Sequence, residues 1–212
     1  MHNHSDYSDD VFHWIKTEYE GKDKKRADEC AFEVMKKIVL DGYINASDKD
    51  TFRKLKSVCF TESPLEVQRH QSSRYTQFGF AFSKSFIFEL GGRHVIYQTY
   101  DEGLSLPKEL HWRHVTYDPI NENLFNNQGV NFAWEREWRL NANQLNIHNA
   151  HSIIVPNQYF ADELSHYMHS GEHLNLADWL YGSSEARSPE EYDAHLIEIN
   201  DRIKIFENIL AA

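Results

Sequence analysis

The densest chemistry in the chain lies in Trp134-Glu135-Arg136-Glu137-Trp138-Arg139. On a strand, side chains alternate between faces, so Glu135, Glu137 and Arg139 fall on one face and Trp134, Arg136 and Trp138 on the other. Two neighbouring carboxylates split their pKa values, and a guanidinium beside them holds one ionised, which suits a site where positive charge develops. The same residues also read as a charged strand face with a structural Glu–Arg pair, and the spacing leaves both readings open.

Other constellations carry less. His166, His169 and His173 have helical spacing for a shared face and imidazole ligation of a metal, but Gly171 interrupts them and the chain holds 13 histidines, so a solvated surface is the simpler reading. His70, His94, His111 and His114 read as surface or packed imidazoles, with no acid at usable spacing. The glycines form neither G-x-G-x-x-G nor a phosphate loop, HExxH is absent, and Cys30 and Cys59 have no C-x-x-C partner. These absences argue against a Rossmann nucleotide site, a Walker ATPase and a zinc deaminase; no metal is expected, and both thiols should be reduced.

With 22 Lys+Arg against 33 Asp+Glu, the 212-residue chain has a net charge of −11, which disfavours coating nucleic acid through a broad basic surface. A local basic channel built from Arg69, Arg74, Lys84 and Arg93 remains open. No apolar run has the length of a membrane span and the N-terminus lacks a signal-peptide pattern, so a cytoplasmic protein without a membrane partner is expected.

These residues need elements to position them. Residues 1–10 read as a flexible leader, followed by a strand at Val11-Phe12-His13-Trp14-Ile15. Ala27, Cys30, Ala31, Val34 and Ile38 predict a helix over 25–40, stopped by Gly42. Ser57 to Thr61 reads as a strand, and Pro64 as a helix start. Phe78, Phe80 and Phe82 alternate with Gly79, Ala81 and Ser83, giving a strand with one aromatic and one small face. Gly91-Gly92 turns the chain into a strand at His94–Tyr97, and Phe132–Leu140 and Ser152–Val155 complete the set. Ser188-Pro189-Glu190-Glu191 is a capping box, and Tyr192, Leu196, Ile199, Ile203, Phe206 and Leu210 extend a helical stripe from it. That helix packs on its own domain or on a partner.

Four of these segments occur in a telling order: Phe-His-Trp, Cys-Phe-Thr-Glu-Ser-Pro-Leu, Tyr-x-x-Phe-Gly-Phe-Ala-Phe-Ser-Lys with Gly-Gly-x-x-Val-Ile-Tyr, and Trp-Glu-Arg-Glu-Trp-Arg. Across roughly residues 11–156 this succession resembles the bacterial abortive-infection family AbiGi, labelled an antitoxin component of phage-resistance systems. The layout also resembles a diverged ADP-ribosyltransferase of the PARP-like and DNA-modifying toxin type.

The resemblance implies an α+β fold, with a split antiparallel sheet and flanking helices over 11–160 and a helical C-terminal extension over 161–212. It implies NAD as co-substrate, with His13 and neighbouring Trp14 toward the ribose, Tyr75 or Tyr97 over the nicotinamide, and Phe82 and Ser83 close by. Ile15 stands where such enzymes commonly carry Ser or Thr. Glu137 matches the catalytic glutamate, and Glu135-Arg136-Glu137 resembles an E-x-E pair whose first acid orients the acceptor or serves as its base. Arg139 would fix a carboxylate or reach a phosphate, and Arg53 would contact diphosphate or acceptor. The function implied is a toxin transferring ADP-ribose to a nucleic acid (RNA or DNA) or protein acceptor, silenced by a cognate antitoxin or chaperone protein. The alternative is a non-catalytic antitoxin or adaptor that binds a partner protein through its acidic surface and C-terminal helix.

Overall fold

The computed structural model describes residues 8–17, 19, 21, 23–49, 51–63, 65, 75–121, 129–169 and 197–211. Pro64, Arg69, His70, Arg74, Gly171, His173, the 188–191 capping box, Tyr192 and Leu196 lie outside them, as do residues 1–7 of the expected leader.

The frame is a seven-stranded mixed sheet in the order β11-β10-β4-β1-β3-β8-β5. Its members are β1 (Asp10–Trp14), β3 (Val58–Thr61), β4 (Gly79–Ser83), β5 (Arg93–His94), β8 (Glu137–Leu140), β10 (Ser152–Val155) and β11 (Ile203–Ile205). Neighbours are antiparallel except β10 and β11, which run parallel. Two small ribbons accompany it, antiparallel β2 (Tyr43–Asn45) with β9 (Gln144–Asn146), and parallel β6 (Ile96–Gln98) with β7 (His114–Thr116). The sheet is mixed rather than purely antiparallel, and the architecture is α+β.

Residues paired across strands share a face, so the registers sort the side chains. Val11, His13, Phe60, Phe80, Phe82, Trp138 and Ile153 fall on one face, the core face. Helix α1 (Lys24–Asp41) buries Ala31, Phe32, Met35 and Val39 toward this core; after the short α2 (Lys84–Glu89) and α3 (Tyr100–Ser105), α4 (Gln158–His169) buries Phe160, Ala161, Leu164 and Met168. Phe32 meets Phe160 at 5.1 Å between ring centroids, and Phe160 meets Phe78 at 4.9 Å. The Phe78, Phe80 and Phe82 side chains are fully buried, each contributing about 1.5–3 kcal/mol. Asp23 caps α1 by accepting from the Lys25 and Arg26 amides, and Gly42 closes it in the left-handed conformation (φ 77°).

The opposite face carries Phe12, Trp14, Gly79, Ala81 and Ile154 toward β10, and Cys59, Thr61, Glu137 and Arg139 toward β8. Phe12 stacks on Trp14, and Phe206, the first residue of α5 (Phe206–Ala211), meets Trp14 edge-on. The small side of β4 has a mechanical cause. A Cβ on Gly79 would stand 2.6 Å from Trp14 Cε3 and 2.9 Å from the His13 carbonyl oxygen.

Three expectations are corrected. The segment His94–Tyr97 is not one strand: β5 joins the main sheet, while β6 leaves it to pair with β7. Phe132–Leu140 is not one strand either, because 133–135 is a 3-10 turn, Arg136 adopts the left-handed conformation (φ 46°), and β8 starts at Glu137. The third concerns the C-terminus: Ile203-Lys204-Ile205 is a strand on β10 rather than part of one helix. Its β-branched residues alternate about a polar one and suit a sheet edge, and pairing with β10 overrides the helical spacing. Helix α4 spans residue 160, and Ile199 and Phe206 are fully buried.

Gly79→Ala should therefore destabilise the fold by about 2 kcal/mol and lower Tm by about 4–8 °C, read by circular dichroism on heating. An unchanged Tm would mean that Trp14 does not press on β4.

Candidate active site

Two of the sequence motifs touch each other at the start of β8. The Thr61 hydroxyl donates to the Glu135 carbonyl and the Ser63 hydroxyl to the Trp134 carbonyl, while the Glu62 amide donates to the Arg136 carbonyl at 3.3 Å. The Thr-Glu-Ser sequence after β3 thus holds the turn that precedes β8, satisfying carbonyls that a left-handed Arg136 takes out of the strand ladder.

Within β8, Glu137 and Arg139 are buried on one face, and Arg139 Nε donates to Glu137 Oε1 at 2.7 Å. The guanidinium also donates through Nη1 to the carbonyls of His114 (3.0 Å) and Trp112 (3.2 Å), tying the β6–β7 ribbon to the sheet. Burial works against the Arg139 charge, but Glu137 above all outweighs it and its pKa is raised. Cys59 is the register partner of Arg139; burial, then the Glu137 carboxylate, pushes its thiol up to about 11.

Tyr97 reaches this place from β6. Its phenolic oxygen accepts from the Glu137 amide at 3.0 Å, and its O–H donates to the Phe132 carbonyl at 3.3 Å. Burial raises its pKa, and the Glu137 and Glu135 carboxylates add to that rise, so the phenol stays protonated. The buried Glu135 accepts a 2.7 Å hydrogen bond at Oε2 from the Tyr75 hydroxyl. Tyr75 in turn packs against the cluster built on Phe12 and Trp14, and Lys16 Nζ lies 5.4 Å from the centre of its ring. Two acids, two phenols and a guanidinium are therefore gathered where water is largely excluded. There, a carboxylate acts strongly on positive charge appearing beside it.

The structure brings together Glu135, Glu137, Arg139, Tyr75 and Tyr97, although Glu135 arrives through a turn rather than by strand alternation. Trp14 lies on the same face of the sheet. His13 does not: it faces the core beside Phe60, with Nδ1 2.8 Å from the Cys59 carbonyl oxygen, and burial lowers its pKa. Phe82 shares that face, stacked on Phe86. Ser83 caps α2 (Lys84–Glu89), accepting from the Phe86 amide, and Arg53 is exposed over the Phe52 ring with a left-handed backbone (φ 54°).

Sequence reasoning passed over Glu62. It is 1% exposed, accepts from Lys84 Nζ and Trp138 Nε1 at 2.7 Å each, and lies 3.3 Å from His94 Nε2. The acid that His94 lacked along the chain comes from the end of another strand. The available signal was the one acid inside an otherwise apolar and hydroxylic segment, Cys-Phe-Thr-Glu-Ser.

Among the described residues no group of three His, Cys, Asp or Glu is placed to hold a metal ion, and no helix is long and apolar enough to cross a membrane. No protein-family model, characterised protein or solved structure matches the chain.

Two outcomes follow from the buried pair. Arg139→Met strands the Glu137 charge and should cost about 3–5 kcal/mol in urea unfolding, with much of the loss recovered by adding Glu137→Gln; no recovery would show that Arg139 acts mainly through the ribbon carbonyls. Iodoacetamide at pH 8 should label exposed Cys30 and spare Cys59, whose thiolate fraction there is about 0.1%. Equal labelling of the two peptides by mass spectrometry would contradict the buried thiol.

Proposed function

We propose that the protein is an NAD-dependent ADP-ribosyltransferase toxin of a bacterial anti-phage toxin–antitoxin system, with Glu137 as its catalytic acid group. The observation that carries this reading is the gathering of two buried glutamates and two phenols at the start of β8: Tyr75 donates to the Glu135 carboxylate, Tyr97 accepts from the Glu137 amide, and the charges of both acids bear on Tyr97. The order of sequence motifs supports it, since the two motifs in contact at β8 are among those that carry the resemblance.

Breaking the nicotinamide–ribose bond sends its electron pair to the nicotinamide and leaves positive charge on the sugar, as in glycoside cleavage. Glu137 would accept a hydrogen bond from a ribose hydroxyl and strengthen it as that charge grows, with the Arg139 Nε hydrogen bond fixing the orientation of the carboxylate. Glu135, oriented by Tyr75, would take the proton of the attacking acceptor. A cavity of about 490 Å³ opens on the same face toward β10 and β11, with Phe12, Ala81 and Ile154 in its lining, Lys204, Ser152 and Asn208 as polar groups, and Asp10 paired there with His151 at 3.0 Å; β3 separates its strands from β8. Apolar walls suit a base, and a lysine suits a diphosphate. In this arrangement His13 takes no part in holding the ribose, because it lies on the core face.

A second reading has its own observation. Arg139 is hydrogen-bonded to Glu137, to the ribbon carbonyl of His114 and to the Trp112 carbonyl just before the ribbon, a set that an inert scaffold would also build. On that reading the chain is a non-catalytic antitoxin or adaptor that retains the fold and binds a partner protein.

Transfer of label from adenylate-labelled NAD into a bacterial lysate separates the two, with Glu137→Gln beside the wild type and protease, RNase and DNase applied to the products. Label should appear with the wild type and fall by about 100-fold or more in Glu137→Gln, corresponding to about 3 kcal/mol of lost stabilisation. Equal label from both proteins would remove Glu137 from the chemistry. No label from either, in lysates of infected and uninfected cells, would favour the adaptor.

A further inference from the structure

The edge of the main sheet at β5 concentrates positive charge in a chain of net charge −11. Arg113 Nε donates to the His94 carbonyl at 2.9 Å, which lays its guanidinium along this edge. Arg93, next to His94, folds over Phe88 with its guanidinium carbon 3.9 Å from the ring centroid, fixed by hydrogen bonds from Nη1 to the Phe88 and Gly92 carbonyls at 2.8 and 2.7 Å. Lys84 stands on the other side of His94, with Glu62 between them as the counter-charge. The charges of Lys84, Arg113 and Arg136 all bear on His94, and that of Arg93 bears on Arg113. The charges of three cations thus bear on one half-exposed imidazole, with Glu62 the acid bonded to Lys84 and beside His94, and Arg93 continues the edge next to Arg113 on the other face of β5. Glu89, beside Phe88 on α2, is the neighbouring exposed acid.

The patch also offers an aromatic surface. The Phe88 side chain is 51% exposed although it is large and apolar, with the neighbouring Leu90 48% exposed. Arg93 occupies one side of the ring, and His94 lies against Trp138 at 4.3 Å between centroids. Cations that follow a backbone, beside a ring that accepts any base by stacking, are the two components of single-strand recognition. An acidic peptide would use the cations but would leave Phe88 without a role, so the aromatic decides between the two polyanions.

We infer that the β5 edge, through Arg93, Arg113, Arg136, Lys84 and Phe88, binds single-stranded nucleic acid by its phosphates and one stacked base. Arg136 lies between Glu135 and Glu137 in the chain, so a strand following the patch passes the start of β8. This names the acceptor class for the transferase reading and rests on that reading only in calling the strand an acceptor; binding itself requires no NAD.

The test is fluorescence anisotropy of the full chain with labelled single-stranded DNA and RNA of about 12 nucleotides, without NAD, across a salt series. Wild type should bind with a log–log salt slope of about −2 to −3, as expected for three to four phosphate contacts on a single strand. Arg93→Gln with Arg113→Gln should make the slope shallower by about 1.4, and Phe88→Ala, at an exposed position that the fold does not need, should weaken binding about 10-fold with the slope retained. Absence of binding at low salt would overturn the inference, as would binding that none of these substitutions alters. Inorganic polyphosphate bound as tightly as the oligonucleotides, with no effect of Phe88→Ala, would replace it with a general anion patch. Because NAD is absent, failure here leaves the transferase proposal standing, and a lysate without label leaves this one standing.

Discussion

The Arg139 guanidinium is the constraint to which the other features around β8 answer. Its side chain is 4% exposed and stays charged, so every direction in which it points must meet an acceptor. Glu137 supplies the charge, the His114 and Trp112 carbonyls take Nη1, and Cys59 adds a side-chain contact. That requirement draws the β6–β7 ribbon onto the sheet and brings Tyr97 to the Glu137 amide. The conformation of Glu137 is thus fixed by the same contacts that join two layers of the fold, which is the rigidity a catalytic carboxylate needs.

The start of β8 shows a second balance. A left-handed backbone at a residue with a side chain is unfavourable by about 1–2 kcal/mol, and Arg136 bears that cost between two glutamates. The Thr61 and Ser63 hydroxyls and the Glu62 amide hold the turn by its carbonyls. The turn in exchange brings the Glu135 carboxylate to the Tyr75 hydroxyl although the strand has not begun; the Glu135 charge also bears on Tyr97, and that of Arg136 bears on His94. Glu62 belongs to both sides of this arrangement, its amide in the turn and its carboxylate on Lys84 and Trp138.

What the sequence made legible followed from periodicity. The Phe78, Phe80 and Phe82 alternation, the α1 stripe ending at Gly42, and the strands around Val11, Val58 and Ile153 were each readable because burial of one face imposes a period of two or near four. The pairing of Glu137 with Arg139 was readable for the same reason. What was not legible depended on contacts distant in the chain: Glu135 comes to the site through a turn held from β3, and His94 finds its acid across the sheet. Ile203 to Ile205 fits helical spacing and strand alternation alike, and only the open edge of β10 decides between them. His13 was placed by motif order, yet one residue of alternation sends it to the core face and Trp14 to the other.

That alternation limits where chemistry can occur. The core face is filled by phenylalanines and closed by α1 and α4, so His13 ends against Phe60 and a backbone carbonyl in a dry environment. A polar ligand entering there would displace buried aromatic contacts worth several kcal/mol. The opposite face is covered piecemeal, by Phe206 and Tyr75 over Phe12 and Trp14 and by the ribbon over Arg139, and a cavity opens toward β10. Ligand access is therefore cheapest on that face and along the β5 edge. Glu135 and Glu137 stand on the open face, while Arg136, the residue between them, bears on His94 at the edge. The buried acid–guanidinium pair of the face and the cations of the β5 edge therefore lie on either side of the turn that begins β8.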